Sequence, residues 1–176
     1  MSAKKLTIVN LVHRDFEDLE LWYPVLRLRE EEITVVIAGE KAGKTYKGKH
    51  GVPVEADIGF QALDTDNVDG LLIPGGWAPD KLRRDNDVLN FIRNLDKQEK
   101  PIGEICHAGW VLVSADILQG RKVTSTPAIK DDMRNAGAKW VDEPVVIDKN
   151  LVSSRRPPDL PVYMKTYIEV LKNFYK

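Results

Sequence analysis

Pro101-Ile-Gly-Glu-Ile-Cys-His-Ala-Gly-Trp-Val-Leu-Val113 runs from a strand straight into a helix. Its first half is the short apolar run of a buried parallel strand, and its second half continues as an apolar helical segment to Leu118. The break falls at Cys106-His107. Upstream, Val68-Asp-Gly-Leu-Leu-Ile73 reads as another buried strand, stopped by Pro74-Gly75-Gly76. Before it, Leu6–Val12 and Ile33–Ala38 read as strands, with a helical pattern between them. In that helix Phe16, Leu19, Tyr23 and Leu26 draw one apolar stripe and Leu21, Val25 and Leu28 a second, more apolar face than one core contact needs. Pro24 is expected to bend or restart it. Val88, Phe91, Ile92 and Leu95 mark a further helix.

The last third continues the alternation. Lys122–Ser125 reads as a strand, and Val145–Asp148 pairs with Leu151–Ser154 across the turn at Lys149. Ile129–Ala136 is a helix closed by Gly137, the residue type that favours the position after a helix end. Leu160, Tyr163, Tyr167, Val170 and Phe174 make the clearest amphipathic helix. The Gly-rich segment from Ala42 to Gln61 lacks helical periodicity and reads as a hairpin excursion. Strands alternating with helices predict an α/β fold, a mainly parallel sheet with helices on both faces, formed by residues 1–176 as a single domain.

Composition narrows the partners. Lys plus Arg total 26 against 27 Asp plus Glu, a formal net charge of −1, which supplies no field for capturing nucleic acid. No apolar run approaches the ~20 residues of a membrane helix, and the N-terminus does not read as a signal peptide, so a cytoplasmic chain is expected. Cys106 is the single cysteine, which excludes an internal disulfide and any multi-cysteine metal cage. Neither a metal nor another cofactor is called for.

Open α/β sheets place their sites beyond the carboxyl ends of the strands, and three candidate groups fall there. Cys106 has the plan of a nucleophile elbow, in which a sharp turn presents the side chain and the new helix N-terminus stabilises a thiolate. The bland alternative is a small buried hydrophobe. Glu17 opens the first helix, where a carboxylate suits the macrodipole; it is also placed to aim at the sulfur as general acid or base. Gly75 and Gly76 end a strand either as an ordinary turn or as an oxyanion hole. One N–H would come from here and one from just after Cys106, at His107 or Ala108. His107 is expected to point away from the sulfur on a regular backbone, with Asp80 a candidate partner or simply a helix N-cap. His13 and His50 read as structural or exposed, and a zinc site from His13, Asp15 and Glu17 is weak. Trp22, Trp77 and Trp110 either share an aromatic pocket or serve core and interface packing, the latter favoured.

Taken together the chain resembles the PfpI (C56 peptidase) branch of the DJ/PfpI superfamily, with its class I glutamine-amidotransferase-like, flavodoxin-like fold. The resemblance is carried by Phe16–Leu21, Gly48-Lys-His-Gly51, Asp69–Gly76 with Pro79-Asp80, Ile105-Cys-His107, Gly120–Lys122, Ile129–Met133 with Asn135–Gly137, and Ser153–Arg155 with Pro157-x-Asp159-Leu160. It implies Cys106 as nucleophile, Glu17 as its carboxylate partner, and Gly75, Gly76 and the His107 amide around an oxyanion. It further implies a triad of Cys106, His107 and an acidic residue from a neighbouring subunit, matched here by Asp80, in a homodimer or larger homo-oligomer. The activities implied are intracellular proteolysis, or glyoxalase and deglycase chemistry in stress protection, on a small carbonyl, glycated or peptide substrate. A non-catalytic thiol redox sensor or stress chaperone is the alternative.

Three positions depart from that family's pattern. Ala108-Gly109-Trp110 replaces the usual Gly-Pro and polar residue after the elbow, Thr126 stands in place of a common tyrosine, and Glu104 replaces a small residue. Glu104 lies on the same side of its strand as Cys106, where a second carboxylate would raise the thiol, unless a buried Arg or Lys pairs with it.

Overall fold

The computed structural model describes residues 5–176. In chain order the elements are β1 (Thr7–Leu11), α1 (Asp18–Glu30), β2 (Thr34–Gly39), β3 (Thr45–Lys47), β4 (Pro53–Glu55), β5 (Ile58–Gly59) and β6 (Gly70–Ile73). There follow α2 (Ala78–Leu82), α3 (Asn86–Lys97), β7 (Ile102–Ile105), α4 (Gly109–Ala115), β8 (Lys122–Val123), α5 (Lys130–Asn135), β9 (Lys139–Trp140), β10 (Val145–Asp148), β11 (Leu151–Ser154) and α6 (Leu160–Phe174). A seven-stranded sheet has the order β10-β11-β7-β6-β1-β2-β5. All its pairings are parallel except β10 with β11. Helices cover it: α1 packs with α6, while α4 packs with α2, α3 and α5.

The centre of this sheet is the apolar part of the sequence because every backbone group there is paired and both faces are covered. Strands β6 and β7 are buried throughout, and β1 is buried over Ile8–Leu11. The chain leaves β1 for β2 on one side and returns to β6 on the other. The strand order therefore reverses beside β1, and the crevice for a ligand opens beyond the carboxyl ends of β1, β6 and β7.

Several expectations shift by a few residues and three change in kind. Helix α1 runs through Pro24 without restarting. Its inward stripe is Leu21, Val25 and Leu28, all buried, whereas Leu19 and Leu26 are 57% and 59% exposed. The excursion after β2 is the β3–β4 hairpin, as expected, but its end supplies β5 as an edge strand of the main sheet. Strand β8 does not join that sheet; it pairs with β9 in a small two-stranded one. The turns behave as their residue types require. Lys149 and Gly137 adopt φ of +54° and +85°, closing the β10–β11 hairpin and the end of α5.

Candidate active site

Two loops zip together to floor the crevice. Phe16 and Gly76 form an isolated antiparallel bridge, the Glu17 N–H donates to the Gly75 carbonyl (3.2 Å) and the Trp77 N–H to the Asp15 carbonyl (2.8 Å). Glycine is required at both positions of the pair. A Cβ on Gly75 would lie 2.7 Å from Cys106 Cβ and collide with a Glu20 carboxylate oxygen. Gly76 has φ +73°, and a Cβ there would collide with Glu17 N and lie 2.6 Å from the Asp15 carbonyl oxygen.

Cys106 directly follows β7 with φ +64°, a left-handed conformation that costs a non-glycine residue of order 1–3 kcal/mol and clusters at functional sites. A single 3₁₀ turn, Cys106–Ala108, then leads into α4. The Gly76 and His107 N–H groups both point at the sulfur. The twist at Cys106 also turns the next side chain back, so that His107 Nδ1 lies 3.3 Å from Sγ. This corrects the expectation that His107 points away, which assumed a regular backbone. Burial, and secondarily the Lys49 ammonium, hold the imidazole below its usual range, so it is neutral and free to accept a proton. Its ring sits between Trp77 (5.4 Å) and Trp110 (5.1 Å), while Trp22 packs against the core from α1.

The carboxylate beside the Cys106 sulfur is Glu20, where Glu17 was expected. Glu20 is 2% exposed, accepts a hydrogen bond from the Gly75 N–H (2.8 Å) and shares one with the Cys106 thiol. Glu17 is the residue just before α1, and one of its oxygens meets Lys49 Nζ at 2.6 Å. The reason is helical phase. With α1 beginning at Asp18, Glu20 falls on the inward row Glu20–Pro24–Leu28, spaced by four, and Glu17 is left at the rim. That spacing was the available signal: a carboxylate in register with buried apolar positions.

Burial pushes Glu20 up to about 8. Burial first, and then Glu20, push the Cys106 thiol up to about 12. The His107 amide at the elbow and the Gly76 amide do pull the thiol down, but burial and Glu20 outweigh them. Because the two groups share a hydrogen bond, they titrate as one unit. The first proton lost leaves a single charge and one proton between oxygen and sulfur, with Glu20, then anionic, placed to take that proton as the sulfur attacks.

The remaining expected residues fall as follows. The Gly75 N–H is committed to Glu20, so the donors left facing the sulfur are Gly76 and His107; Ala108 is fully buried. Asp80, on α2, forms ion pairs with Lys81 (3.0 Å) and with Arg84 just beyond the helix (2.8 Å). His13 is buried against Tyr46 and meets Glu40 (3.2 Å), away from Glu17. Glu17, Asp18 and His50 do approach one another. The Asp18 oxygens there accept from the His50 and Val52 N–H groups (2.9 Å each), a role for Asp18 that the sequence reading missed. Thr126 donates its N–H to the Cys106 carbonyl (3.2 Å). Glu104 is completely buried, faces the Gly109 amide, and neither oxygen completes a hydrogen bond among the described residues. The expected buried ion pair is therefore not formed. Burial raises Glu104 well above the usual carboxyl range, so it is a neutral acid.

Comparison with known proteins bears on the family and the fold. The chain is 44% identical to a deglycase of Pyrococcus horikoshii over 95% of this chain and all of that one. It is 39% identical to the protein/nucleic acid deglycase 2 of Escherichia coli over 96% of this chain and 98% of that one. A solved two-domain protein of Anabaena variabilis, with DJ-1/ThiJ/PfpI-like and ferritin-like domains, superposes with a TM-score of 0.94 at 35% identity. The match covers 96% of this chain and 48% of that one, so the present chain spans about half its length. The DJ-1/PfpI family model matches residues 6–170, and the chain belongs to that family.

Proposed function

We propose that the chain is a cysteine-dependent enzyme that attacks an electrophilic carbonyl, with deglycase or glyoxalase chemistry on α-oxoaldehydes and their adducts. One observation carries the reading. A buried protonatable carboxyl (Glu20), a neutral imidazole (His107) and two backbone N–H groups (Gly76, His107) all face one sulfur held at a strained elbow. Relatives named deglycases support the same chemistry. In the first step Sγ forms a bond to the carbonyl carbon and the π pair moves onto oxygen. The thiol proton passes to Glu20 or His107 and is returned to that oxygen, giving a neutral hemithioacetal. The Gly76 and His107 amides would steady the charge as it develops. The test is turnover of methylglyoxal and of a methylglyoxal-treated arginine peptide. Cys106→Ala is expected to remove it to background, and turnover surviving in that variant refutes the nucleophile.

A second reading, a thiol redox sensor, is favoured by the protonatable Glu20 lying beside a cysteine that has no second cysteine to resolve it. Peroxide then produces mass increases of about 16 and 32 Da on the Cys106 peptide without turnover of any dicarbonyl. The exposed leucines of α1, Leu19 and Leu26, support assembly into a homo-oligomer. In such an assembly Asp80 of one copy would serve the His107 of another. Leu26→Glu is expected to lower the mass in light scattering; an unchanged mass removes α1 from the interface.

A further inference from the structure

The hairpin motif Gly48-Lys-His-Gly51 takes no part in the chemistry above, yet it is fastened to the site. The Lys49 N–H donates to the Phe16 carbonyl (2.9 Å), and Asp15 donates its N–H to Lys47 (2.9 Å). The Asp18 carboxylate accepts from two amides of the turn, and Gly48 lies so close to that carboxylate that any Cβ would collide with it. The turn thus holds a lysine at the mouth of the crevice. Lys49 Nζ sits 2.6 Å from Glu17, whose side chain is only 8% exposed, while Lys49 itself is 40% exposed. The ammonium also acts across space on Cys106, Glu20 and His107.

We propose that Lys49 is a positioning residue for the nucleophile, and that Glu17 restrains it by competing for its charge. Negative charge developing at Cys106 is stabilised by a cation across the crevice, and a carboxylate bonded to that cation weakens the effect. The groups facing the sulfur are Glu20 from α1, His107 from the elbow and Lys49 from the hairpin; those facing Lys49 are Glu17, Glu20 and Cys106, and His50 approaches the same Glu17 oxygen (3.9 Å). Among these, Lys49 supplies the fixed positive charge. An anionic group carried by a substrate would draw Lys49 away from Glu17 and toward the reacting centre, so the pair also favours carbonyl substrates that bear a carboxylate.

This inference rests on Cys106 being the nucleophile, and the experiment separates the two. Alkylation of Cys106 is measured near neutral pH with a neutral reagent, iodoacetamide, and an anionic one, iodoacetate. A shift of one unit in the thiol corresponds to tenfold in thiolate, so Lys49→Met is expected to slow iodoacetamide by about 3–10-fold and Glu17→Gln to accelerate it by a similar factor. The ratio of iodoacetate to iodoacetamide falls in Lys49→Met, rises in Glu17→Gln, and is largely restored in Lys49→Arg. A loss of packing alone would slow both reagents together and leave the ratio where it was. An unmoved ratio in both variants, or Glu17→Gln slowing both reagents, overturns the inference while Cys106 stands. A wild-type cysteine that reacts with neither reagent removes the nucleophile and this inference with it.

Discussion

Glu20→Ala is expected to lower turnover of an α-oxoaldehyde by about 10²–10⁴-fold, the usual contribution of a positioned acid–base group. The same substitution changes the form of the titration. In the wild type Glu20 and Cys106 share a hydrogen bond and both are raised by burial, to about 8 and about 12, so the pair loses its protons in two separated steps. Iodoacetamide alkylation followed from pH 6 to 11 then rises first near 8, as the shared-proton anion forms, and again at higher pH. With Glu20 replaced by Ala one ionisable group remains and the profile collapses to a single step. A wild-type profile with one step, unaltered by the substitution, would show that Glu20 and Cys106 do not exchange a proton. Glu17→Gln provides the contrast: Glu17 faces Lys49, so its replacement raises thiol reactivity and leaves two steps.

Glu104→Met is expected to raise the melting temperature at pH 8 by roughly 2–12 °C. That range follows from about 1–3 kcal/mol for an unsatisfied buried polar group and about 2–4 °C per kcal/mol in a chain of this size. The effect grows with pH, and the sign follows from linkage. Glu104 and Glu20 are both raised in the folded state from an ordinary value of 4.5. The unfolded chain therefore releases these protons near pH 4.5, while the folded chain keeps them. Stability is fully present below that pH and falls as pH rises, for Glu20 up to its folded value of about 8. The Glu20 part of that loss is up to ~5 kcal/mol at 1.36 kcal/mol per unit. Replacing Glu104 by an apolar side chain of similar length removes its share, so the fall in melting temperature between pH 5 and pH 8 becomes shallower. Destabilisation by the same amount at both pH values would mean that Glu104 is paired in solution and ionised.

Much of the architecture is legible in the order of residues, because its determinants are local. Apolar runs too short for helices mark β1, β6 and β7, and each is followed by helical periodicity, which forces a parallel sheet with its crevice at the strand ends. The Pro74-Gly75-Gly76 stop and the absence of any loop between Ile105 and His107 locate the site for the same reason: backbone conformation is written by nearest neighbours. Strand membership is less local. Strand β5 is only Ile58–Gly59 and β8 only Lys122–Val123, too short for periodicity, so their partners are chosen by what lies beside them in space.

The chemistry of the site divides along the same line. Sequence by itself singled out Cys106, the two glycines opposite it and the helix that brings a carboxylate. Only the tertiary structure decided which carboxylate. Each residue along a helix turns the side chain by about 100°, so a start at Asp18 sends Glu20 inward to the sulfur and leaves Glu17 to Lys49, a residue of a distant hairpin. It likewise decided that His107 reaches back to Sγ, through one positive φ at Cys106, and that Glu104 is sealed without a cation. Proton affinity depends on burial and on charges brought together by folding, and neither is a property of neighbours in the chain.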